Sequence, residues 1–288
     1  MSTNSPNLSK AQRREAARAQ ALALKKKQEA ADRRARVITM SVLGIVLIAL
    51  IAVVAVLFIR DHRNNAANAT DNNLTLSQLQ PSQVPSTARA DGGIVVGKNR
   101  EAGGTELSGV PEVGIYFDYM CPICGQFEQV NKANLEAAIK GGTANVVMHP
   151  VSILDRASQG TQYSTRAAAA SAWVAEKAPT TWLDFHEALY ANEPTENTSG
   201  HTNAELATIA KNAGVPADVA AGISSGEARR TFAQWVTSAT NAATGNAKLA
   251  NPQSGGFGTP TITINGERWG GDWTDPSALP AAIKAATK

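Results

Sequence analysis

The 288-residue chain is poor in the residues that staple or metallate a fold: it has two cysteines, four histidines and 5% aromatic residues. The cysteines, Cys121 and Cys124, are separated by only Pro122 and Ile123. A bridge across so short a loop constrains the unfolded chain very little, so structural stapling is a poor explanation for the pair. Tetrahedral zinc needs about four protein ligands. There is no second cysteine pair, and His62, His149, His186 and His201 do not have the spacing of a zinc finger. What these absences leave is a dithiol that cycles between oxidised and reduced forms.

Cationic surplus is also missing from most of the chain. The formal net charge is +3, but the first 36 residues hold ten Lys or Arg against three acidic residues, so the remainder carries −4. A nucleic-acid surface needs basic residues gathered on a folded face, and no nucleic-acid partner is expected.

One long apolar run is present. Residues 37–59, "VITMSVLGIVLIALIAVVAVLFI", contain no charge. At about 1.5 Å per helical residue this spans a ~30 Å hydrocarbon core. It reads as a single transmembrane signal anchor in a lipid bilayer. The basic stub, 1–36, stays cytoplasmic by the positive-inside rule, and everything beyond Arg60 is exported. A cleavable signal, for which "AANA" before Thr70 offers a small-residue site, would have a shorter apolar core of ~7–15 residues. Residues 60–91, rich in Asn, Ala, Ser, Gln and Pro, read as a flexible linker; "NLTLSQL" could alternatively pack as an extra strand.

From 92 to 288 the pattern is that of one folded domain. Strands are expected at "GGIVVG", "VGIYFDYM", "ANVVMHPVSIL" and "TITING", with "ERWGG" as a hairpin partner for the last. A helix follows the cysteines and ends at Gly141–Gly142, and another closes the chain. Residues of about 159–247 carry only helical periodicity. The fold class is α/β with an all-helical insertion.

"YFDYMCPICGQFE", followed far downstream by "GFGTPTITINGERW", resembles the DsbA-like thiol-disulfide oxidoreductases in their membrane-anchored Gram-positive and actinobacterial form. The resemblance covers about residues 91–288. It implies a thioredoxin fold, with Cys121 as exposed nucleophile and Cys124 as resolving thiol. Pro260 would be a cis-proline which, with Thr259, presents backbone to an extended substrate. It further implies disulfide donation to exported cysteine-containing proteins and reoxidation by a membrane partner of the DsbB or VKOR-like type, with no cofactor and no metal. Relatives often hold a buried acid six positions before the first cysteine, where this chain has Ile115; Asp118 lies nearer, with its facing undetermined by alternation.

The chemistry suits these residues. Exchange needs a thiolate, and an ordinary cysteine near pKa 8.5 is mostly protonated at neutral pH. At a helix N-terminus, unpaired N–H groups and the positive dipole end favour an anion. Pro122 fits the first helical position, and Ile123 adds no donor or charge, so these two set an intermediate redox poise. A reductase or isomerase of the same fold, for example in cytochrome c maturation, and a membrane-tethered holdase with an incidental dithiol are the alternatives. His149 reads as a structural histidine, Trp173, Trp182, Phe185 and Trp235 as core, and Trp269 and Trp273 are unassigned.

Overall fold

The computed structural model describes residues 69–287 continuously and, before them, residues 14–15, 18–19, 21–29, 32–34, 39–40, 44, 49–50 and 52–53. The chain divides into two units, Met1–Ala66 and Ala67–Lys288. In the first, residues 21–29 are helical and exposed. The apolar run 37–59 falls mostly outside the described residues. Among the described residues no helix is long and apolar enough to cross a membrane.

The second unit is built on a five-stranded sheet in the order β1-β3-β2-β4-β5. Its strands are β1 (Ile94–Val96), β2 (Glu112–Phe117), β3 (Asn145–Pro150), β4 (Thr261–Ile264) and β5 (Glu267–Arg268). Only β2 and β3 run parallel. They are joined by helix α1 (Pro122–Gly141), the long crossover that parallel neighbours require. β3 is buried on both faces, which explains its unbroken apolar run rather than an alternating one. α1 ends where Gly142 adopts φ 61°, and Thr143 N–H then reaches the Ala138 carbonyl at 2.9 Å. Only glycine adopts that left-handed cap without steric cost.

The helical block between β3 and β4 comprises α2 (Tyr163–Lys177), α3 (Trp182–Ala191), α4 (Asn203–Asn212), α5 (Ala217–Ser224) and α6 (Glu227–Gly245). α2 is buried on every side from Tyr163 to Ala175; its alanines let α6 approach closely, as a helix enclosed by neighbours requires. Trp173, Trp182, Phe185 and Trp235 are core, the last three with no exposed surface. The closing helix α7 spans Ala278–Ala286.

The segment expected to be a linker is, from residue 70 onward, part of this unit. It runs through 3-10 turns at Leu76–Gln78 and Pro81–Gln83 rather than a strand. The side chain of Gln234 on α6 both accepts from Asp71 N–H (2.7 Å) and donates to the Asp71 carbonyl (2.8 Å). Ser238 donates to the Leu74 carbonyl at 2.7 Å, and Ser86 is held by Glu176. Leu76, Leu79 and Val84 pack on the core. Composition signalled disorder because these partners of the polar stretch lie 90 to 164 residues away.

Candidate active site

The register of the sheet creates the site. β2 pairs antiparallel with β4, Tyr116 opposite Thr261, so the residues preceding β4 lie beside those leaving β2. The former are Thr259 and Pro260, joined by a cis peptide bond; the latter lead to Cys121. The turn between strand and helix closes through Cys121 N–H to the Asp118 carbonyl at 3.1 Å. Cys121 is the N-cap of α1 and Pro122 its first residue.

Both sulfurs are thiols, and both residues are buried: Cys121 is 5% exposed and Cys124 2%. The nucleophile position implied to be exposed is therefore largely covered, because the Cys121 thiol donates to the Thr259 carbonyl at 3.4 Å. What protrudes is Ile123, half exposed. The two thiols differ sharply in acidity. A hydrogen bond from Cys124, then the Thr259 hydroxyl and the N–H groups of Cys124 and Ile123, outweigh burial and bring Cys121 from 9.0 down to about 6. Burial and then the neighbouring Cys121 hold Cys124 well above its ordinary value. Pro122 and Ile123 act here through backbone: the first has no N–H to offer, the second supplies one.

Asp118 is fully buried. Its carboxylate accepts from Met120 N–H and from Leu154 N–H, each at 2.9 Å, fixing the dithiol turn to the loop that enters the helical block. Burial raises it to about 7. A carboxyl whose folded value lies above its unfolded value binds more protons when native. Its stabilisation is complete below about pH 3.8 and is lost as pH rises through about 7. Asp118→Asn leaves one of the two N–H groups facing an amide nitrogen, at a cost of about 1–3 kcal/mol. Denaturant titration is expected to show that deficit near pH 5 and to show it narrowing as pH approaches 7.

Two side chains that carried no signal in the sequence complete the site, both from α3 and its C-terminal turn. Tyr190 donates to the Asp118 carbonyl at 3.2 Å. Glu193 leans over Gly125: a β-carbon there would lie 2.5 Å from the Glu193 Oε2. The one available clue was Gly125 itself, a glycine inside a helical pattern, which often marks close approach. His149, by contrast, stacks on Tyr116 with ring centroids 4.1 Å apart, and burial keeps it neutral, down at about 4. Trp269 and Trp273 line an open groove of about 430 Å³ with Pro260, Ile262 and Asn251. Among the described residues, no cluster of three or more His, Cys, Asp or Glu is placed to hold a metal ion.

A thiolate-favouring cysteine at a helix start, a shielded partner one turn on and a cis-proline beside them define a protein of thiol-disulfide exchange. The family model described as "Thioredoxin" matches residues 108–285. The oxidised DsbA of Mycobacterium tuberculosis is similar at 30% identity and a TM-score of 0.52, over 68% of this chain and 92% of that one. MdbA from Actinomyces oris, a thiol-disulfide oxidoreductase, shares the fold at 22% identity and a TM-score of 0.56, over 77% of this chain and 99% of that one. Among curated proteins, the serine/threonine-protein kinase PknE of M. tuberculosis is 31% identical over 179 residues. That match takes in 59% of this chain and only 29% of the kinase. The chain belongs to the thioredoxin family, and it is a thiol-disulfide oxidoreductase of the DsbA type.

Proposed function

We propose that the protein introduces disulfide bonds into exported proteins while tethered to the cell membrane through residues 37–59, its N-terminus cytoplasmic. The observation that carries the exchange chemistry is the acidity gap between the two thiols: Cys121 lies at about 6 while Cys124 is raised. A fold that favours the thiolate favours the reduced pair, so the disulfide form draws electrons from substrates.

In this reading a substrate thiolate attacks Cys121 Sγ of the oxidised pair. The Cys121–Cys124 bond breaks, a substrate–Cys121 bond forms, and Cys124 leaves with the electron pair and takes up a proton. A second substrate thiolate then attacks its own mixed-disulfide sulfur and expels the Cys121 thiolate. The substrate dithiol has been oxidised and the enzyme pair reduced. The cis Thr259–Pro260 backbone supports a role in holding the substrate strand, because it borders both the Cys121 sulfur and the tryptophan-lined groove. A membrane reoxidant of the DsbB or VKOR-like type would restore the disulfide.

The test is the thiol state of the pair in living cells, trapped by acid and alkylated. The oxidase is expected to rest oxidised and to accumulate reduced when reoxidation is blocked. A pair that rests reduced would select the reductase instead.

A further inference from the structure

Reducing the disulfide delivers two electrons and calls for protons. The proton for Cys124 is retained by its buried thiol, but Cys121 emerges as an anion, and a new negative charge in a covered site must be balanced. The residue six positions before Cys121 is Ile115, which is 2% exposed and apolar. Two carboxylates, Asp118 and Glu193, stand near the thiols. Asp118 has no exposed surface and both its oxygens already accept backbone N–H groups, so it serves as a fixed tie.

Glu193 is arranged differently. One of its oxygens, Oε1, is buried without a hydrogen-bond partner, which costs free energy for an ionised group and is relieved by a proton. The other, Oε2, fills the space left by the missing side chain of Gly125. Gly125 lies four residues after Cys121, on the same face of α1, and its N–H bonds the Cys121 carbonyl at 3.2 Å. The residue as a whole is only partly buried, which leaves it a route to water. The groups acting on it are Cys121, Asp118 and Glu196, all acidic, with Tyr163 also coupled to it and Tyr190 on the same side of Gly125. Burial first and the Cys121 charge second raise it to about 7.

We propose that Glu193 is the proton-exchanging carboxylate of the dithiol, taking up a proton as Cys121 is released from the disulfide and returning it when the disulfide forms again. The balance closes. The substrate loses two electrons and two protons; the enzyme disulfide gains two electrons, and the protons go to Cys124 and Glu193. The products are a Cys121 thiolate, a Cys124 thiol and a neutral Glu193 carboxyl. The helical insertion thus contributes a functional group to the exchange site. This inference rests on the pair cycling as an exchange centre.

The experiment is a reduced-minus-oxidised infrared difference spectrum of the full chain at neutral pH, alongside thiolate absorbance titration. Reduction is expected to add a protonated-carboxyl band that is missing in Glu193→Gln and retained in Asp118→Asn. Glu193→Gln is expected to leave the Cys121 titration close to the wild-type one, because the carboxyl it replaces is already neutral when the thiolate forms. Gly125→Ala, whose β-carbon would displace the carboxyl while keeping the residue, should weaken the band. A wild-type carboxyl signal unchanged between redox states, or a band lost in Asp118→Asn but kept in Glu193→Gln, would overturn the assignment while leaving thiol exchange intact. A wild-type pair that glutathione can neither oxidise nor reduce would instead overturn the exchange reading on which the proposal stands.

Discussion

Replacement of Cys121 by serine is expected to abolish exchange with a dithiol substrate, leaving no turnover above the uncatalysed rate. Serine keeps the shape and the hydrogen bond to the Thr259 carbonyl but offers no ionised sulfur, so nothing can form the mixed disulfide. Cys124→Ser should behave otherwise. Its Cys121 still sits at the start of α1, with the N–H groups of Ile123 and residue 124 as donors. Oxidised glutathione or a substrate disulfide should therefore be captured as a stable one-to-one adduct visible in the intact mass. In the wild-type reduced protein, the alkylation rate of Cys121 should rise about tenfold per pH unit at acid pH and flatten above the thiol's value of about 6. A rate still climbing toward pH 9 would mean that the helix start and the Cys124 thiol do not hold the anion.

The second large effect concerns stability. The folded Cys121 thiol lies near 6 against an ordinary value of 9.0. Between those values the unfolded reduced chain binds more protons than the folded one, so stability rises with pH across this window. The contribution is fully present above about pH 9 and is lost as pH falls through about 6. Three units correspond to at most about 4 kcal/mol, less whatever solvent screening removes. The oxidised protein has no such thiol; Asp118 titrates in both forms and cancels in the comparison, whereas Glu193, raised to about 7 partly by the Cys121 charge, offsets some of the gain below that pH. Parallel denaturant titrations are thus expected to show the reduced form gaining on the oxidised form most clearly from pH 7 to 9. A gap that does not move with pH would remove the physical basis for an oxidant.

Much of this site is legible in the sequence alone. Cys121 and Cys124 announced themselves by scarcity and by their place between an apolar strand and a helical pattern, and Thr259–Pro260 by its position just before a strand. Local chemistry settles such features: a proline at the first helical turn and a glycine cap do not depend on distant residues. Tyr190 and Glu193 were invisible because their relevance arises only when α3 is folded against α1, almost 70 residues away in sequence. Asp118 was ambiguous because strand alternation ends at Phe117 and says nothing of the turn beyond it. Residues 70–91 were misread for the opposite reason, since a polar composition that lacks its own core can still be bound by the amides and hydroxyls of a neighbouring helix.

The enclosure of α2 reaches as far as the dithiol turn. Ser171, midway along that helix, accepts from the Tyr119 hydroxyl at 2.8 Å and from the Trp182 indole at 2.9 Å, occupying both lone pairs of a single oxygen. One atom thereby pins the catalytic turn and the start of α3 to the same spot. The dithiol turn, where it leaves the sheet, is in this way tied to the helical block beside the cysteines.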